Sequence, residues 1–94
     1  MKLSEVNIDI TKKFLRIDYD HDDELIGIIS ESAKGYIRSF TGLPDGRLDE
    51  YPEIVHAYIC LCSDMYDNNT VSAANARENP TVRQILLSVA ENYV

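Results

Sequence analysis

The stretch from Pro52 to Asp67 constrains this chain more than any other. Ile54, Val55, Ala57, Tyr58, Ile59, Cys60, Leu61, Cys62, Met65 and Tyr66 spread over nearly the whole circumference of the helix that their spacing predicts. A helix that is apolar all round needs cover on every side, in a core or in an interface. Pro52 suits the first turn of such a helix, where its missing N–H is not needed. The chain has 94 residues, so the length prior gives one domain, 1–94. The cover must therefore come from a few other short elements or from a partner.

Those elements are legible as apolar segments between turn signals. Residues 8–17 predict a short helix carrying Phe14, Leu15 and Ile17, capped by Thr11 or by Asp9 before it. The alternation over Val6 to Ile10 also permits a strand. Leu25 to Phe40 predicts a strong amphipathic helix: Leu25, Ile29, Ser32, Tyr36 and Phe40 form one stripe, with Ile26, Ala33 and Ile37 beside it. Gly42 lies just past its end, where a left-handed cap is wanted. Residues 43–50 read as a turn-rich loop around Pro44-Asp45-Gly46. Residues 68–78 read as a polar, exposed loop. Asn79 then caps a last helix with Pro80 at its first position, and Val82, Ile85, Leu86, Val89 and Tyr93 make its stripe. The expected fold is an all-α bundle of about four helices around a buried central one.

Charge narrows the function classes. Nine Lys and Arg stand against sixteen Asp and Glu, a formal net charge of −7. Gripping phosphates without regard to sequence needs a basic surface, and an anionic membrane repels an acidic one. No apolar run approaches the length of a membrane span. The first ten residues carry Lys2, Glu5 and Asp9 and no apolar core, so no signal peptide is expected and the default compartment is the cytoplasm.

Each candidate for chemistry has a plainer structural reading. Asp18, Asp20 and Asp22 alternate like the start of a calcium loop, but its sixth and twelfth places hold Asp23 and Ile29 instead of Gly and Glu. Asp20, Asp22 and Asp23 are instead expected to cap the second helix and complement its positive end. His56 and Cys60 share a helix face at i, i+4 and resemble half a zinc site. Cys62 lies about 200° around from Cys60 and cannot join the same ion. The cysteines are expected to be buried structural residues, since a nucleophile needs a base and an electropositive setting. No phosphate loop, glycine-rich fingerprint or nucleophile elbow is present. No cofactor, no metal and no catalytic residue is expected. The tyrosines on helical stripes, Tyr36, Tyr58 and Tyr66, fit a core or a subunit contact better than ligand stacking.

A family resemblance rests on motifs in order along the chain: Phe-Leu-Arg-Ile-Asp at 14–18, Asp-His-Asp-Asp-Glu-Leu-Ile at 20–26, and Ala-Lys-Gly-Tyr-Ile-Arg-Ser-Phe-Thr-Gly at 33–42. The apolar helix ending in Met-Tyr-Asp-Asn-Asn at 65–69 continues the series, as does Asn79-Pro80 leading to Ile85-Leu86-Leu87. Together they resemble the gp6-like head–tail connector proteins of tailed phages, over about residues 10–93. The family tends to carry an arginine after the Asn pair. Here Thr70 stands there, and the nearest arginine is Arg77.

The resemblance implies a non-enzymatic structural protein of the phage or prophage neck, in the virion at the head–tail joint and in the host cytoplasm during assembly. It implies a ring of identical copies, dodecameric on the portal, that contacts the portal protein and the next neck or tail protein and helps to retain packaged DNA. It implies neither sequence-specific nucleic-acid binding nor a membrane partner. The expected contact residues are Tyr51, Tyr58, Tyr66, Asn68, Asn69 and Arg77, on the turn 43–51, the central helix and the loop 68–78. The alternative, from a different class, is a small acidic regulatory module that meets a basic protein partner through the acids of 18–24, as a DNA mimic or antitoxin does.

Overall fold

The computed structural model describes residues 2–67 and 80–93, the last three of them as backbone. A 3-10 turn at Leu3–Glu5 leads into α1, Ile8–Leu15; α2 is Asp23–Thr41, α3 Asp45–Leu48, α4 Glu53–Asp67 and α5 Pro80–Tyr93. The fold is the expected all-α bundle. α4 sits at its centre and packs against α5, α2 and α1.

Local chemistry explains the ends of the helices. Asn7, not Thr11 or Asp9, caps α1: its side chain accepts from the Ile10 N–H at 2.9 Å. The strand alternative for 6–10 is not realised. Thr11 lies inside the helix, buried, and donates back to the Asn7 carbonyl at 2.9 Å. α1 ends on Arg16 in the left-handed region, with φ 60°. The Ile17 N–H bonds the Lys12 carbonyl across that cap, and Ile17 is turned back into buried position. Gly42 closes α2 as expected, with φ 71° and its N–H on the Arg38 carbonyl at 2.8 Å.

Burial shifts the expected faces. On α2 the fully covered residues are Ile26, Ile29, Ala33 and Ile37, while Leu25, Ser32, Tyr36 and Phe40 are only half-buried. The residues placed beside the stripe are thus its centre, on the face that the other helices cover. On α4, Ile54, Ala57, Tyr58, Leu61, Cys62 and Met65 are buried, but Val55, Ile59, Cys60 and Tyr66 are half-buried and His56 is exposed. The central helix is therefore covered over a broad face and not all round. On α5, Val82, Leu86 and Val89 are buried at i, i+4, i+7.

The turn region 43–50 holds a helical turn that its composition does not announce. α3 forms there because Leu48 is drawn into the core with no exposed surface. Asp49, just after it, accepts from the Ser4 N–H at 3.0 Å and the Ser4 hydroxyl at 2.6 Å, which ties the N-terminal turn to α3. These bonds hold the Asp49 carboxyl below its ordinary pKa. Asn79, expected as the cap of α5, lies outside the described residues.

Candidate functional site

Two clusters on α4 gather most of the singled-out side chains. The first centres on Tyr58, which is fully buried. Its hydroxyl lies 2.8 Å from Thr11 Oγ1 on α1 and 2.6 Å from Ser30 Oγ on α2. The Thr11 hydrogen is committed to the Asn7 carbonyl. So Tyr58 donates to Thr11 and Ser30 donates to Tyr58, a directed chain that closes on the backbone. Burial pushes the Tyr58 pKa up to about 12. The expectation that Tyr58 meets a subunit or partner is corrected. Helices α1 and α2 close over the ring, because its hydroxyl finds neutral partners inside the bundle.

The second cluster lies nearer the surface. The Tyr66 hydroxyl donates to Asp22 Oδ2 at 2.7 Å and receives the hydroxyl of Tyr19. Tyr66 is held above its ordinary pKa by its hydrogen bonds, first to Tyr19 and then to Asp22. Tyr19 also stacks on His21, with ring centroids 4.4 Å apart. Beside this cluster, Lys12 Nζ sits 2.8 Å from Asp20 Oδ1 and 2.7 Å from Asp23 Oδ1. Hydrogen bonding to the two carboxylates raises the Lys12 pKa, and the same bond from Lys12 lowers that of Asp20.

The capping expectation for the acids is corrected in part. Asp22 does occupy the capping position of α2, and its carbonyl accepts from the Ile26 N–H at 2.8 Å. Its side chain makes no cap bond, because Tyr66 claims it. Asp23 stands in the first turn, where a negative charge suits the helix dipole. Asp20 reaches back to Lys12 instead of capping. The acidic run thus clamps α1 and α4 to the start of α2. The ammonium of Lys12 is paired with Asp20, one of the three carboxylates that resembled a calcium loop.

The remaining candidates do not converge. Tyr51 is half-buried against the core at the start of α4. His56 is exposed, and among the described residues no group of three or more metal-ligating side chains forms. Burial raises the Cys62 thiol to about 11. Cys60 is raised by burial and by the charge of Asp64. Neither thiol is activated. Asn68, Asn69 and Arg77 lie outside the described residues. Sequence reasoning missed Lys12 and Ser30, and read Thr11 only as a helix cap. The i, i+4 spacing of Asn7 and Thr11 was a usable signal for the first turn of α1, but nothing local points to Ser30.

Among the described residues, then, no helix is long and apolar enough to cross a membrane, and the polar clusters serve to join helices. This defines a small all-α bundle whose described polar clusters join its helices. The phage gp6-like head-tail connector protein family matches residues 5–92, and the chain belongs to it. No curated protein and no solved structure gives a significant match. Membership supports a structural connector role in a tailed phage, with contacts to other head or tail proteins.

Proposed function

We propose that this chain is a non-enzymatic adaptor that forms a ring of identical copies between the portal and the next neck or tail protein, and there helps to retain packaged DNA. The observation that carries this reading is the family match over residues 5–92 of 94. The surface agrees with it. Ile8, Phe14, Ile28 and Leu87 are large apolar residues left outside the core. Association would cover such residues and stabilise a small bundle by mass action. An acidic ring would also let DNA pass without adhering. The loop 68–78 and the turn 43–51 are proposed contact segments, with Tyr51, Tyr66, Asn68, Asn69 and Arg77 in or beside them.

The regulatory alternative needs the acids of 18–24 as a free patch. Asp20 and Asp23 are already paired with Lys12, and Asp22 is bonded to Tyr66. That engagement favours the connector. The test is co-production of the tagged chain with the products of its neighbouring genes, followed by mass spectrometry and electron microscopy of what co-purifies. Recovery of a portal or neck protein, or of rings, is the expected result. Recovery of a basic host DNA-binding protein without a portal overturns the reading. Within the connector, unchanged assembly after replacing residues 68–77 with a short Gly/Ser linker removes that loop as a contact.

A further inference from the structure

We propose that copies of this chain join head to tail, the Phe14 corner of one copy entering the groove between α1 and α2 of the next. This rests on the self-association in the connector reading and names the two surfaces that carry it.

The corner is the end of α1. Phe14 is 48% exposed, flanked by exposed Lys13 and Arg16. Neither cation's side chain has an ion-pair or hydrogen-bond partner among the described residues. Arg16 also adopts φ 60°, which is comfortable for glycine and costs a residue with a Cβ. Among the described residues its guanidinium makes no hydrogen bond or ion pair that would offset this. Exposed aromatic and arginine side chains together have the composition of an interface anchor.

The groove lies at the other end and the other side of α1. It has a volume of about 550 Å³, with Ile8, Gly27, Glu31 and Asp9 among its walls. A Cβ on Gly27 would stand 3.4 Å from Ile8 Cδ1, so the missing side chain keeps the floor open. Ile8, on its floor, is 37% exposed, and Ile28, outside the lining but next to Gly27 in sequence, is 51% exposed. Lys34 also lines the groove, but its ammonium is held by the Val6 carbonyl at 2.9 Å and lies over the Tyr58 ring. The exposed charged residues of the rim are Asp9 and Glu31, with the Lys34 charge drawn inward.

An apolar floor with an acidic rim complements an aromatic ring between two cations. The two surfaces cannot meet within one copy. At about 100° per residue, Ile8 and Phe14 lie about 60° to either side of buried Thr11. A contact between different surfaces is heterologous, so it repeats from copy to copy and closes as a ring where the rotation allows.

The test places a photocrosslinking phenylalanine analogue at position 14 of the full chain, in purified protein and in the chain co-assembled with the portal. The expected adduct joins position 14 of one copy to residues 27–34 of another. Arg16→Glu lowers its yield about tenfold through like-charge opposition to Glu31, and adding Glu31→Arg in the same chain restores it. Arg16→Gly relieves the backbone and raises Tm, yet lowers the yield. Adducts that map elsewhere, or no loss with Arg16→Glu, overturn the proposal. If Phe14→Ser chains still form rings on the portal, the contact fails while the connector reading stands. If wild-type chains neither crosslink to each other nor assemble on the portal, both fail.

Discussion

Tyr58 and Tyr66 stand about two turns apart on α4, and each reaches a residue 47 positions earlier in the chain, Thr11 and Tyr19 respectively. Both hydroxyls tie α4 to the α1–α2 region. Their settings differ. Tyr58 is sealed among neutral hydroxyls and the Asn7 carbonyl. Tyr66 is half-buried and bonded to a carboxylate, with the Lys12 ion pairs beside it. The same residue type therefore does two jobs. A buried hydroxyl with fixed partners specifies one packing, and leaving any partner unbonded is costly. A half-exposed hydroxyl on a charge can exchange its partner for water, so it adjusts where a helix starts at little cost.

The largest expected effect breaks the comparison if it is absent. Tyr58→Ala should lose about 3–5 kcal/mol, through a cavity at the meeting of three helices. Tyr66→Ala should lose clearly less. Urea unfolding followed by circular dichroism measures both, and equal losses would erase the distinction between the two sites.

Tyr58→Phe should cost about 1–3 kcal/mol, since it keeps the ring but leaves Ser30 and Thr11 facing an apolar edge. Adding Ser30→Ala and Thr11→Val should recover part of that loss. A triple variant weaker than the sum of its singles would show that the hydroxyl chain is not a unit.

Alkaline unfolding sharpens the contrast. The pKa of Tyr58 is raised from 10.0 to about 12, and that of Cys62 from 9.0 to about 11. The folded state holds these protons where the unfolded state releases them, so this stability is fully present below the unfolded pKa and is lost as pH rises through the folded one. Stability should fall from about pH 9 upward. Tyr58→Phe should flatten the part of that fall between about 10 and 12, and Tyr66→Phe should flatten it less, because the bonds that raise Tyr66 are screened by solvent.

The smallest effect belongs to the surface cluster. Lys12→Met should destabilise at low salt and neutral pH, and less at high salt. Asp20 is depressed by its bond from Lys12, so its contribution is present above its unfolded pKa and is lost as pH falls through the folded one. The wild type and Lys12→Met should converge in acid. A gap that persists at low pH would mean that Lys12 acts by packing its stem, not by its charge.

Much of this was readable along the chain because it is local. Gly42 ends α2 since only a residue without a Cβ takes the left-handed cap freely. α4 and α5 follow from apolar spacing and from Pro52 and Pro80 at their starts. The candidate site was less legible. Tyr58 and Tyr66 have the same pattern in sequence, and nothing nearby says which is sealed. The acids of 18–24 suit a cap, yet Lys12 and Tyr66, 8 and 44 residues from their partners Asp20 and Asp22, draw them elsewhere. Leu48 turns an expected loop into α3 because the core accepts it.

By itself, then, the sequence determined an all-α chain, the order and most ends of its helices, its acidic surface and its family, because periodicity, caps and composition act over a few residues. Only the tertiary structure decided which tyrosine is core, which face of α2 is covered, whether the acids cap or clamp, and that Phe14 and Arg16 are left facing outward. Those outcomes depend on side chains far apart in the chain competing for the same contacts, and burial settles that competition only when the helices have packed.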